Sequence, residues 1–197
     1  MINLNSIKKV LLYILSIFAL PNLVHAHLIG GSGFSSGALH PLSGIDHLLA
    51  MLAVGIIATR HGGKAIWFIP ATFITSMIIG GIIGILGLEI SFVEIGIALS
   101  VVFLGIAIFI QKKIPLNVTM AFVAVSAFLH GHAHGSEMPL IANPVLYASG
   151  FVLVTTLLHF SGVMVGHYAT KTAFTTKLLR YVGAGMGIAG IFLLASF

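Results

Sequence analysis

Along the chain, long apolar runs alternate with short polar or basic interruptions. Six runs succeed one another at roughly 37–59, 65–87, 90–111, 116–135, 144–168 and 178–197. Each is close to the ~20 residues that carry a helix across about 30 Å of hydrocarbon. The bilayer core offers no partner for unpaired backbone groups, so such runs have to be helices. The pattern predicts an all-α fold, a polytopic membrane helix bundle with six transmembrane helices. Ahead of it, Lys8 and Lys9 precede the apolar run Val10 to Leu20, followed by Pro21 and Val24-His25-Ala26. A basic n-region, a short apolar stretch and a small-x-small site describe a cleavable N-terminal signal peptide. The rival reading, an uncleaved first span, asks more length than this run has. The expected organisation is a signal peptide over 1–26 and a six-span permease domain over 27–197. Cleavage leaves His27 at the mature N-terminus, where amine and imidazole together chelate a metal such as nickel or copper. Glycines recur within the runs, as in Gly80-Gly81-Ile82-Ile83-Gly84 and Gly183-Ala184-Gly185-Met186-Gly187. Their spacing suits close helix packing. No repeat stands out in the letters, although a three-plus-three arrangement is compatible with them.

Composition removes the soluble alternative. Hydrophobic residues make up 58%, charged residues 7%, and mean hydropathy is +1.15. A water-facing surface normally draws on about 25% charged residues. The absence of cysteine excludes disulfides and thiolate ligands. The net charge of +5 does not form a nucleic-acid patch, because the cations lie between the apolar runs. With the mature N-terminus outside, Arg60, Lys64, Lys112, Lys113, Lys171, Lys177 and Arg180 all fall on the inner side. Glu89 and Glu137 fall outside, in connections without a base. This is the positive-inside pattern of a multi-pass protein of the bacterial inner membrane with a periplasmic N-terminus.

Against that apolar background, ionisable residues are costly and ask for a role. The first span opens His40-Pro41-Leu42-Ser43-Gly44-Ile45-Asp46-His47. Pro41 suits a first helical position. On one regular helix, His40 and His47 share nearly one face. Asp46 is placed to flank the same cavity or to orient a histidine on a neighbouring span through its second nitrogen. Met51, one turn on, reads as packing. The fourth span ends Phe128-Leu129-His130-Gly131-His132-Ala133-His134-Gly135-Ser136-Glu137. His130 and His134 form an i, i+4 pair able to share a metal, His132 points elsewhere, and Glu137 completes a nitrogen and oxygen set at the outer mouth. Gly131 and Gly135 are expected to loosen the helix end around the ion. His159 lies deeper in span five. Glu94 is expected to cap span three, and His61 and His167 to be interfacial. Ordered by depth, His27, His134 and Glu137 come first, then His130 and His40, then Asp46 and His47, then His159, with His167 or His61 at the exit. A ladder of moderate sites lets an ion enter and also leave.

The stretches His40-Pro41-x-x-Gly44-x-Asp46-His47-Leu48-Leu49-Ala50-Met51 and His130-Gly131-x-Ala133-His134-Gly135-x-Glu137-Met138-Pro139 resemble the HupE/UreJ proteins of hydrogenase and urease systems. The resemblance spans essentially the whole mature chain. It implies a secondary permease for Ni2+, or Co2+ in some members. The first stretch also resembles the His-x4-Asp-His signature of nickel/cobalt permeases, with five residues here in place of four. No fixed cofactor is expected. Expected partners are the divalent ion, the lipid bilayer, a second copy of the chain, and metal donors and acceptors on either side. Imidazole and carboxylate without thiolate suit borderline divalent ions. The rival function is an intramembrane zinc hydrolase using His47, His130, His134 and Asp46, under which His159 is surplus.

Overall fold

The computed structural model describes residues 33–197, all in helices and short connections. The expected signal peptide and His27 lie outside the described residues. Seven helices follow: α1 Gly33–Ser43, α2 Ile45–His61, α3 Ala65–Ile85, α4 Val93–Ile110, α5 Leu116–Ser136, α6 Pro144–Ala169 and α7 Ala173–Leu194. Five of them, α3 to α7, are long and apolar enough to cross a membrane, and α1 with α2 passes the same test as one span bent by 83°.

That bend corrects the expected first span. The helix starts at Gly33, so Pro41 lies inside α1 instead of at its first position. Proline removes a backbone donor and crowds the preceding turn. Two residues later the helix stops, and Gly44 takes an extended conformation (φ −99°, ψ 124°) before α2 begins. His40 and His47 therefore sit on two helices at a break and not on one helical face.

Local chemistry accounts for the other boundaries. Asn143 caps α6 by accepting from the Val145 and Leu146 amides at 3.0 and 3.1 Å, with Pro144 in the first turn. Thr172 caps α7 by accepting from the Thr175 amide at 3.1 Å. This start lies five residues ahead of the expected 178 because Lys177 and Arg180 are carried on the helix surface. Arg180 donates to the Phe109 carbonyl at 3.1 Å. Glu94 does not cap α4: Phe92 occupies the cap, in a left-handed conformation (φ 67°), with no side-chain cap bond.

Glycines set the packing. A Cβ on Gly131 or Gly135 would collide with the carbonyls of Met77 and Gly81, and one on Gly80 or Gly84 with those of Phe128 and His132. The α3–α5 seam thus closes backbone to backbone. Gly131 and Gly135 are contact points on a helix that stays regular through Ser136, not the loosened turn expected of them.

The α2–α6 seam repeats this one residue for residue. Gly55 faces the His159 carbonyl as Gly131 faces Met77, and Gly162 faces Leu52 as Gly80 faces Phe128. Gly166 lies against Ile56 and Thr59 as Gly84 lies against His132 and Gly135. The Thr59 hydroxyl donates to the Val163 carbonyl at 3.2 Å, where Gly135 meets Gly81. One constant offset relates α2 to α5 and another relates α3 to α6. The members of each seam run parallel, and the two seams run in opposite directions. The third pair, α4 with α7, packs antiparallel through Gly105, Gly183 and Gly190. The three-plus-three arrangement is present as an inverted repeat. All seven Lys and Arg of the described residues sit at one end of the bundle, and Asp46, Glu89, Glu94 and Glu137 sit at the other.

Candidate metal centre

The break at Gly44 brings two side chains to one place from different directions. His40, at the end of α1, meets Glu137 at 3.2 Å (Nε2 to Oε2) and His134 edge-on at 4.6 Å between ring centroids. His47, in the first turn of α2, lies 4.1 Å from the His134 ring and 4.8 Å from the His130 ring. His40, His134 and Glu137 each offer a ligand atom, all within 4.8 Å of one another.

The hydrogen bonds decide what the imidazoles present. His130 donates Nδ1–H to the Ser126 carbonyl at 2.8 Å, and His159 donates Nδ1–H to the Met51 carbonyl at 2.7 Å. A carbonyl only accepts, so Nδ1 carries the proton and the neutral ring presents its Nε2 lone pair. Asp46 does the same for His47: its Oδ1 accepts from the His47 amide at 2.9 Å and from Nδ1 at 2.7 Å. A carboxylate, or a backbone carbonyl, behind an imidazole is the usual device for orienting a metal ligand. The Nε2 atoms of His47, His130 and His159, and both ring nitrogens of His134, are buried without a hydrogen-bond partner. Buried polar atoms are normally paired; neutral His134 keeps a proton on one nitrogen and a lone pair on the other, so each of the four rings has one lone pair free to hold a cation.

Exposure falls along the cluster. The Glu137 side chain is 57% exposed and His40 23%, whereas His134 is 4% exposed and His130 fully buried. His40 therefore stands at the mouth beside Glu137, and His47 beside His130 and His134, which revises the expected order of depth. His159 lies beyond Phe73, whose ring stands 5.9 Å from His130 and 4.8 Å from His159. Asp46 orients its own neighbour on α2 and not a histidine of another span.

The remaining candidates are outside the cluster. His132 donates Nε2–H to the Leu88 carbonyl at 2.7 Å and ties α5 to the α3–α4 connection. His61 pairs with the Thr119 hydroxyl at 3.2 Å, and His167 is exposed beside Tyr168. Met51 is buried and contributes its carbonyl. Sequence reasoning missed the walls. Phe151 packs 4.3 Å from the His134 ring and Tyr147 5.9 Å from the His40 ring, one helical turn apart on α6. An aromatic pair at that spacing in a membrane helix reads as packing, so no local signal marked them.

A model of the HupE / UreJ protein family matches residues 12–193. The chain belongs to the HupE / UreJ family. Among curated relatives, the HupE / UreJ member "Protein HupE" of Rhizobium leguminosarum bv. viciae is 39% identical over 181 residues, covering 91% of this chain and 94% of the relative. No solved structure matches this HupE / UreJ protein.

Proposed function

We propose that this protein is a secondary permease that imports Ni2+, with Co2+ accepted by the same donors, across the bacterial inner membrane to supply metalloenzyme assembly. The observation that carries this reading is the set of unpartnered Nε2 lone pairs on His47, His130 and His159, with both nitrogens of His134. Each of the first three is held by an acceptor behind Nδ1. Membership of a family linked to nickel and cobalt transport supports it, as does the relative named HupE. In this reading α1 and α2 form one broken span, giving six spans after removal of residues 1–26, and the mature N-terminus is periplasmic with His27 as a capture ligand. Glu137 and His40 receive the ion at the mouth, His134, His47 and His130 hold it, Asp46 fixes His47, and His159 is the next station inward.

The inverted repeat supports a carrier over an open pore. Exchanging the arrangements of the two repeats closes one side and opens the other around a fixed site. Among the described residues there is no nucleotide-binding loop, and none is needed for facilitated or ion-coupled import. The zinc-hydrolase reading is not favoured: Asp46 is committed to His47 on both of its contacts, and His159 has no part in it.

The test is radioactive nickel uptake in cells lacking their own importers, comparing wild type with His47→Ala and His130→Ala at matched expression. Saturable uptake lost in both variants is the expected result. Absence of nickel and cobalt uptake in the wild type overturns the proposal.

A further inference from the structure

The inner end of the bundle carries a feature that metal transport does not use. Arg60, His61, Lys112, Lys113 and Thr119, together with Ile57, Ala107 and Ile114, line a small notch of about 20 Å³ between α2, α4 and α5. It opens onto an apolar cleft of about 250 Å³ on the membrane face, walled by Phe103, Ile106, Ile110, Val118 and Phe122 among others. Lys112, Ile114 and Thr119 line both. The cleft exists because α4 and α5, neighbours in sequence, pack against other helices: α4 closes on α7 and α5 on α3 through their glycines.

The charge balance identifies the occupant. All four acidic residues of the chain are assigned to the opposite end of the bundle, so no carboxylate neutralises the notch. The Arg60 guanidinium donates to the Ala107 and Ile108 carbonyls at 2.7 and 2.6 Å, which holds its charge at the notch without cancelling it. Lys112 and Lys113 are exposed. An uncompensated cationic rim is a poor exit for a divalent cation and attracts a phosphate that lies over the notch, since about 20 Å³ admits no more than about one water. Its continuity with a lipid-facing apolar cleft matches a molecule that is anionic at the head and hydrocarbon behind it. Basic pockets between transmembrane helices on the cytoplasmic side recognise anionic lipid headgroups in this way.

We propose that the α4–α5 cleft is a binding site for an anionic phospholipid of the inner leaflet. Its phosphate sits at Lys112, Lys113 and Arg60, and an acyl chain lies in the apolar cleft. The site rests on the inner-side placement of these cations and is independent of the metal chemistry.

The purified full chain is exchanged into mixed micelles of phosphatidylglycerol and phosphatidylcholine at equal ratio, and retained lipid is counted by native mass spectrometry. Phosphatidylglycerol is expected to be retained several-fold over phosphatidylcholine. The double variant Lys112→Gln/Lys113→Gln, at exposed positions, should reduce that ratio to near one. Val118→Trp, which fills the cleft from an exposed position, should lower retention of both lipids. Millimolar inorganic phosphate should not displace the lipid. Equal retention of the two lipids by the wild type, an unchanged ratio in the double variant, or displacement by free phosphate each overturns the proposal. The last outcome would mark a site for a soluble anion.

Discussion

Asp46 makes no contact with a metal in the proposed arrangement, yet it should control how tightly the metal is held. Its Oδ1 accepts two hydrogen bonds, both from His47: the amide at 2.9 Å and Nδ1–H at 2.7 Å. Asp46→Asn keeps a carbonyl oxygen able to accept both and removes the negative charge. The ring should keep its direction while Nε2 becomes a weaker donor. Losing such a partner typically costs 10–100-fold in metal affinity, or about 1.4–2.7 kcal/mol. The Asp46 side chain is 19% exposed, so solvent screening is partial and the lower half of that range applies best. Asp46→Ala removes the orientation as well and should cost more. The assay is nickel binding by isothermal titration calorimetry on protein in nanodiscs, with uptake at limiting nickel alongside. A double-mutant cycle separates orientation from direct ligation. In a His47→Ala background, Asp46→Asn should cost almost nothing further, because the imidazole that Asp46 orients has gone. If Asp46→Asn binds nickel within twofold of wild type, or costs the full amount without His47, the positioning role is wrong.

Other outcomes follow from the same geometry. His159→Ala should abolish uptake while leaving nickel binding at the outer cluster within a few-fold, and equal loss of both would remove the distinction between capture and passage. Gly131→Ala and its counterpart Gly55→Ala each push a methyl into a facing carbonyl. Both should destabilise by roughly 1–3 kcal/mol, read as a matched loss of thermal stability in detergent, and a neutral result at either position would break the equivalence of the two seams.

The helices were legible because lipid leaves the backbone no other choice and the cations mark one end. The residues of the cluster were legible for a related reason: His47, His130, His134 and Glu137 are expensive where they stand. Their arrangement was not. Helical periodicity put His40 and His47 on one face, but Pro41 and Gly44 together end α1 and turn the chain by 83°. A proline inside a helix is readable only as a break somewhere near it, and whether the halves stay collinear depends on what Gly37 and Tyr147 pack against. The partners behind the rings were equally hidden, since Met51 and Ser126 act through carbonyls that every residue possesses. Glycine had two readings, loose helix end or close contact, and only the facing helix decides between them.

The repeat lies in backbone packing and not in side chains, so the letters are compatible with a three-plus-three arrangement without displaying it. Its register places Val54 opposite His130, Ala58 opposite His134, Val123 opposite His47 and Met77 opposite His159. His47, His130, His134 and His159 thus each have an apolar counterpart, Glu137 corresponds to His61, and Val54, Ala58 and Val123 are buried. A symmetric pair of metal sites would offer an ion two resting places and no reason to switch. One polar half facing one apolar half does something different. The apolar half seals while the outer mouth is open, and the same backbone seams allow the arrangement to exchange. Because the chain has no cysteine, the idea can be tested with Val123→Cys alone. Labelling from the inner side should be slow without metal and quicken when nickel is being imported. Labelling that is equally fast in both conditions would mean that this seal never opens as part of transport.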